Sequence, residues 1–124
     1  MKEELFSYRD LVAYQRSKAL VSEVYGALES FPKKETYALC DQLRRAVISI
    51  PSNIAEGMGR TSIKEQIHFI EIAFGSLNEV MCQVEIAYEL KFINKEQLSQ
   101  ADEQIKTIAQ MLSGLRNSKR NDER

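Results

Sequence analysis

The sequence predicts an all-α fold, an antiparallel up-down-up-down four-helix bundle, on three observations. Apolar residues recur at three- and four-residue steps in four separate stretches, the pattern of helices with one buried face. Only 5 Gly and 2 Pro occur among 124 residues, while Ala, Leu, Ile, Glu, Lys and Gln are plentiful, a composition that favours helix over turn-rich folds. The gaps between the four stretches are short, so consecutive helices must run antiparallel.

Residues 1–7 carry no such pattern and are expected to fray, with Ser7 as an N-cap. The first helix is expected over about 8–29, its face made by Leu11, Tyr14, Val21, Val24, Tyr25 and Leu28. Ser30-Phe31-Pro32 ends it, because Pro32 lacks a donor and restricts Phe31. The second is expected over about 35–56, with Leu39, Leu43, Ala46, Val47, Ile50 and Ile54 on one face. Pro51 falls inside that stripe and should bend the helix, and Ser49, Ser52 and Asn53 flank the bend with groups able to bond freed carbonyls. Gly57 and Gly59 are expected to cap it and turn the chain.

The third helix, about 62–91, opens on Ser62-Ile63-Lys64-Glu65, a capping box. Its seam is expected to be Ile67, Ile70, Phe74, Leu77, Met81, Val84 and Tyr88, in alternating steps of three and four. Phe69, Ile72, Ala73, Val80 and Ile86 widen the apolar face beyond what one seam needs, which predicts packing on two sides, the second against another subunit. Gly75, in mid-helix, carries a propensity cost of ~1 kcal/mol that a closely approaching backbone would offset. Asn94 with Gln97 caps the fourth helix, about 95–115, whose face is Leu98, Ala101, Ile105, Ile108, Leu112 and Leu115. Residues 116–124 are polar and charged, and disorder is expected there. The whole chain, 1–124, reads as one domain.

Net charge is −1, so bulk charge does not indicate a nucleic-acid binder. Its distribution says more. Residues 32–64 hold Lys33, Lys34, Arg44, Arg45, Arg60 and Lys64 against Glu35, Asp41 and Glu56, whereas residues 65–91 hold Lys91 against Glu65, Glu71, Glu79, Glu85 and Glu89. The basic stretch either complements its acidic neighbour or forms a surface for phosphate. Cys40 and Cys82, among apolar helical residues and without metal-ligand spacing, are expected to be small core thiols in a reducing compartment. No leader is visible and no run approaches the ~20 apolar residues of a membrane span, so a cytoplasmic location and no membrane partner are expected.

Catalytic patterns are poor. Glu65-Gln66-Ile67-His68 has the Glu-x-x-His step of di-iron bundles, but His68 is the only histidine, so a second copy of the motif cannot exist. Gly57-Met58-Gly59 follows a helix and not a strand, unlike a dinucleotide loop. Neither a metal, a cofactor nor an enzyme is expected. Asn53 and Glu56 lie three apart on the last turn of the second helix, and Glu56 sits at its negative end, where Arg45 or Arg60 would have to compensate it. Ser52, Asn53 and Glu56 are therefore read as a polar cluster that fixes packing or assembly.

These stretches also carry a resemblance. Tyr8-Arg9-Asp10-Leu11-Val12-Ala13-Tyr14-Gln15, Phe31-Pro32, Gln42-Leu43-Arg44-Arg45-Ala46, Ser49-Ile50-Pro51-Ser52-Asn53-Ile54-Ala55-Glu56-Gly57 and Glu71-Ile72-Ala73-Phe74-Gly75-Ser76-Leu77-Asn78-Glu79 occur in this order. The chain resembles the ribosomal RNA intervening-sequence proteins over about residues 6–115. The resemblance implies a four-helix bundle without enzymatic activity, in a family often encoded within insertions in large-subunit ribosomal RNA genes. That family is similar to the accessory proteins of diversity-generating retroelements, which implies a homo-oligomer, a pentamer, binding RNA or DNA through a basic surface. Lys33, Lys34, Arg44, Arg45, Arg60 and Lys64 are the expected phosphate contacts. The competing expectation is a scaffold that docks a polymerase or ribosomal protein partner without touching nucleic acid.

Overall fold

The structure, a computed structural model, describes residues 5–122. Within them lie four α-helices: α1 (Val12–Leu28), α2 (Leu39–Met58), α3 (Ile63–Glu89) and α4 (Lys95–Asp122). Short 3-10 turns precede α1 at Ser7–Asp10 and α2 at Lys33–Glu35, and no strand occurs among the described residues. Each helix packs against its chain neighbour and α1 closes on α4, while neither diagonal pair is in extensive contact. That is the square of an up-down-up-down bundle. Leu20, Leu43, Ile50, Ile54, Ile70, Leu77, Ile108 and Leu112 are fully buried at its centre, each contributing roughly 1.5–3 kcal/mol of burial.

Two connections are closed by local chemistry. At the start of α4 the Asn94 Oδ1 accepts from the Gln97 amide at 2.8 Å, and the Asn94 amide donates to Gln97 Oε1 at 2.9 Å. This is the reciprocal cap expected from the sequence. At the end of α3 the Phe92 amide donates to the Ala87 carbonyl at 2.9 Å and the Lys91 amide to Tyr88 at 3.0 Å. This Schellman pair puts Lys91 in the left-handed region, φ 66°, where glycine is usual. Ser62 caps α3 by accepting from the Glu65 amide at 3.2 Å, but the Glu65 side chain approaches Arg60.

Several expectations are corrected. The fourth helix does not stop near 115. It continues to Asp122, and Arg120 Nη2 lies 3.5 Å from Glu71 Oε1, which ties its last turns to α3. Residues 123–124 of the expected disordered tail, like 1–4 of the frayed start, lie outside the described residues. Gly57 is not a cap. It lies inside α2 without a positive φ, and a Cβ there would come within 2.8 Å of Phe69 Cβ and 3.3 Å of the Gln66 carbonyl. It is glycine because α3 passes too close for a side chain. Pro51 lies inside α2 as expected, buried, and the helix continues past it to Met58. Cys40 is buried as expected, but Cys82 is exposed.

The seam of α3 is also shifted. The buried line is Ile70, Ala73, Leu77, Val80, Val84 and Ala87, in place of the expected line through Phe74, Met81 and Tyr88. Both lines share Ile70, Leu77 and Val84 and have the same spacing. Small residues take the centre because α2 and α4 both press on this helix, and Phe74 and Met81 flank the core half-buried.

Candidate assembly face and basic surface

The α2–α3 contact is the most extensive in the bundle, and a polar line fixes its register. Asn53 Nδ2 donates to the Ser49 carbonyl and to Ser49 Oγ, both at 2.8 Å, and Ser49 Oγ lies 2.8 Å from Ser76 Oγ across the interface. Lower along the same contact, the buried Gln83 amide reaches Gln42 Oε1 at 3.4 Å and Glu79 Oε1 at 3.3 Å. Of the three residues expected to form this cluster, only Asn53 does so. Ser52 and Glu56 are exposed. Ser49, one turn before Asn53, could have been chosen from the sequence. Ser76 lies 27 residues from Ser49, and only the tertiary register brings the two together.

Glu56 is engaged elsewhere. At the α2–α3 turn Arg60 forms an ion pair with Glu56 and lies 3.9 Å from Glu65 Oε2. Its guanidinium sits over the Phe69 ring at 4.9 Å, and its carbonyl accepts from Gln66 Nε2 at 2.8 Å. Arg60 thus answers the unfavourable charge at the end of α2, as one of the two expected candidates. Arg45, the other, pairs with Asp41 at 3.2 Å. Both pairs are largely exposed and each contributes ~0–1 kcal/mol.

On the side of α3 away from the core, Ile72, Gly75, Glu79, Cys82 and Ile86 follow one another at steps of three and four. That spacing puts them on one face. All five are exposed, Ile72 at 37% and Ile86 at 39%. A Cβ on Gly75 would meet nothing within 4 Å. Inside a single chain, therefore, no close neighbour offsets the mid-helix glycine.

The six expected phosphate contacts do not form one patch. Lys33 and Lys34 lie in the 3-10 turn before α2, and Arg44 in its second turn, where Nη1 donates to the Thr36 carbonyl at 3.4 Å. Arg60 and Lys64 lie beyond the other end of α2, whose 20 residues span ~30 Å. Arg45 stands between and is paired. The end that holds Arg60 and Lys64 gains Arg116, Lys119 and Arg120 from the last turns of α4. Arg116 lies over the Phe74 ring at 5.8 Å. These three cations were missed because the polar composition of 116–124 reads as a tail.

His68 is exposed, and among the described residues its ring meets that of Phe69, edge-on at 5.7 Å. Among the described residues no three of His, Cys, Asp and Glu come together as metal ligands. Burial pushes the Cys40 thiol above its ordinary range, which disfavours the thiolate. No helix among the described residues is long and apolar enough to cross a membrane.

Compared with known proteins, residues 9–114 match the model of a family described as 23S rRNA-intervening sequence protein. The fold is similar to the crystal structure of a protein of unknown function from the S23 ribosomal protein family of Bacteroides thetaiotaomicron. The TM-score is 0.79 at 20% identity, over 86% of this chain and 96% of that one. No curated protein matches the chain.

Proposed function

The chain belongs to the 23S rRNA-intervening sequence protein family, and on that premise we propose that it is a non-enzymatic cytoplasmic bundle that assembles as a homo-oligomer, a ring of five copies, and binds RNA or DNA through a basic surface. The observation that carries the assembly is the outward stripe of α3. It offers two partly exposed isoleucines and, between them, a glycine with open space beside it, at helix-packing spacing. Five copies is the number implied by the similarity to retroelement accessory proteins. Free thiols fit a reducing compartment.

The basic surface is split between the two ends of the bundle. Arg60 and Lys64 with Arg116, Lys119 and Arg120 form the denser group, and Lys33, Lys34 and Arg44 the other. A ring repeats each group in every copy, so a modest local charge gains from multiple attachment although the chain is acidic overall. Arg45 is paired with Asp41, as Arg60 is with Glu56 and Glu65 and Arg120 with Glu71, so each of these charges is partly offset.

Light scattering on the purified chain tests the assembly. Five times the 14.2 kDa subunit is expected, and a monomer at micromolar concentration refutes it. Fluorescence anisotropy with single-stranded RNA and duplex DNA tests the ligand. Affinity should fall steeply with added salt as phosphate counterions are released. Salt-independent binding, or none at low salt, refutes the nucleic-acid reading. A polymerase or ribosomal protein retained after the basic residues are neutralised would favour the scaffold reading instead.

A further inference from the structure

The core is incompletely filled at the end of the bundle where α1 leads to α2 and α3 to α4. Ala27 of α1, Ala87 of α3 and Ala101 of α4 all face the same layer, and three methyl groups stand where a bundle layer ordinarily holds leucine-sized side chains. They leave a cavity of about 140 Å³. Phe31 lines it and packs on Phe92, ring centroids 5.4 Å apart, while Ser30 Oγ donates to the Phe92 carbonyl at 2.9 Å and ties the two connections together.

The walls are almost wholly apolar, and the polar groups are confined to the mouth: Glu23, Gln97 and Gln100. Glu23 is half-buried. Its Oε2 accepts from the Gln104 side chain, and its Oε1 has no bond among the described residues. Arg16 and Glu103 share the groove just outside. Burial raises the Glu23 carboxyl above its ordinary range.

We infer that this cavity is a binding site for a small, benzene-sized apolar molecule, and that a protonated amine on such a molecule is recognised by the free oxygen of Glu23. An enclosed apolar cavity of comparable volume accepts benzene or xenon; this one has similar walls and opens to solvent at its polar mouth. A carboxylate at the mouth adds a charge-assisted hydrogen bond to any cation that follows the ring inward. The site owes nothing to the proposed assembly, because its lining comes from all four helices of one chain.

The test is titration of the full chain with benzene and with benzylamine, followed by methyl NMR. Saturable shifts are expected at Leu28, Leu43, Val84 and Ile93, with benzylamine bound about tenfold more tightly than benzene, the factor one charge-assisted hydrogen bond gives. Glu23→Gln should bind benzene unchanged and lose the preference for the amine. Ala101→Leu should abolish binding of both, with Ala87→Leu as a second filling variant if the first does not fold. Absence of saturable shifts in the native chain overturns the site. So does unchanged binding in a folded filling variant. Equal affinity for the two probes, or a preference that survives Glu23→Gln, overturns the role of Glu23.

Discussion

Gly75→Ala separates the fold of one chain from its assembly. Gly75 lies in the interior of α3, has a negative φ, and has open space where a Cβ would project. Within a single chain, alanine should therefore stabilise by the helix-propensity difference, ~1 kcal/mol. With an unfolding entropy near 2.1 cal/mol/K per residue, 124 residues convert that to about 4 °C in Tm. If another copy packs on the stripe, the same methyl overfills a close contact. Overpacking costs ~1–3 kcal/mol, or roughly 5- to 150-fold in association. Gly26→Ala and Gly114→Ala are the controls, since both sit exposed in helices with open space at the Cβ, off the stripe. Thermal melts over a concentration series, with light scattering alongside, give the readout, because assembly makes Tm depend on concentration. Gly75→Ala should raise Tm in dilute solution, lower it relative to wild type when concentrated, and shift the mass toward monomer. A gain at every concentration with unchanged mass, matching the controls, would refute the stripe as the interface.

The second interior glycine should behave oppositely. Gly57→Ala forces Phe69 and the Gln66 carbonyl aside and should destabilise by ~1–3 kcal/mol despite better propensity, measured as a lower urea midpoint. Lys91→Gly should stabilise by up to ~1 kcal/mol, because the residue holds a left-handed conformation at the end of α3; an unchanged or lower midpoint would contradict the Schellman assignment. Glu23→Gln should stabilise at neutral pH. The carboxyl's folded pKa is raised by burial, so the folded chain binds the proton more readily, and wild-type stability should rise as pH falls from the folded pKa towards the ordinary carboxylate value. Melts across that window should show the rise in wild type and a flatter profile in the variant.

Features set by local rules were legible in the sequence. Helix periodicity, the Pro32 stop, the Asn94–Gln97 cap and the Glu56–Arg60 pair all involve residues within a few positions of each other. What depended on distant neighbours was not. The expected line through Phe74 and Met81 has the same spacing as the real line through Ala73 and Val80, and only the pressure of two flanking helices chooses between them. Gly57 reads as a cap until Phe69 is seen against it. The tail reads as disorder because its composition is polar, and Glu71, which holds Arg120, is remote in the chain. Of the candidate site, the surplus apolar surface of α3 was visible early, and two of the residues named for it, Ile72 and Ile86, do face out, whereas Ala73 and Val80 are core and Cys82 joins the outer face in place of its expected burial.

The connection between α3 and α4 has a consequence for how the chain reaches this structure. Its two ends are closed by bonds among neighbours, from Ala87 through Gln97, before any other helix is needed. The α3–α4 hairpin can therefore close its loop at small entropic cost and form early. The α1–α4 seam joins the most distant parts of the sequence and is expected to close last. On a ribosome, α1 and α2 emerge first and wait, their shared face covered on one side only, until α4 is made. Deleting the Asn94 cap should then slow refolding more than it hastens unfolding, whereas weakening the α1–α4 seam should do the reverse.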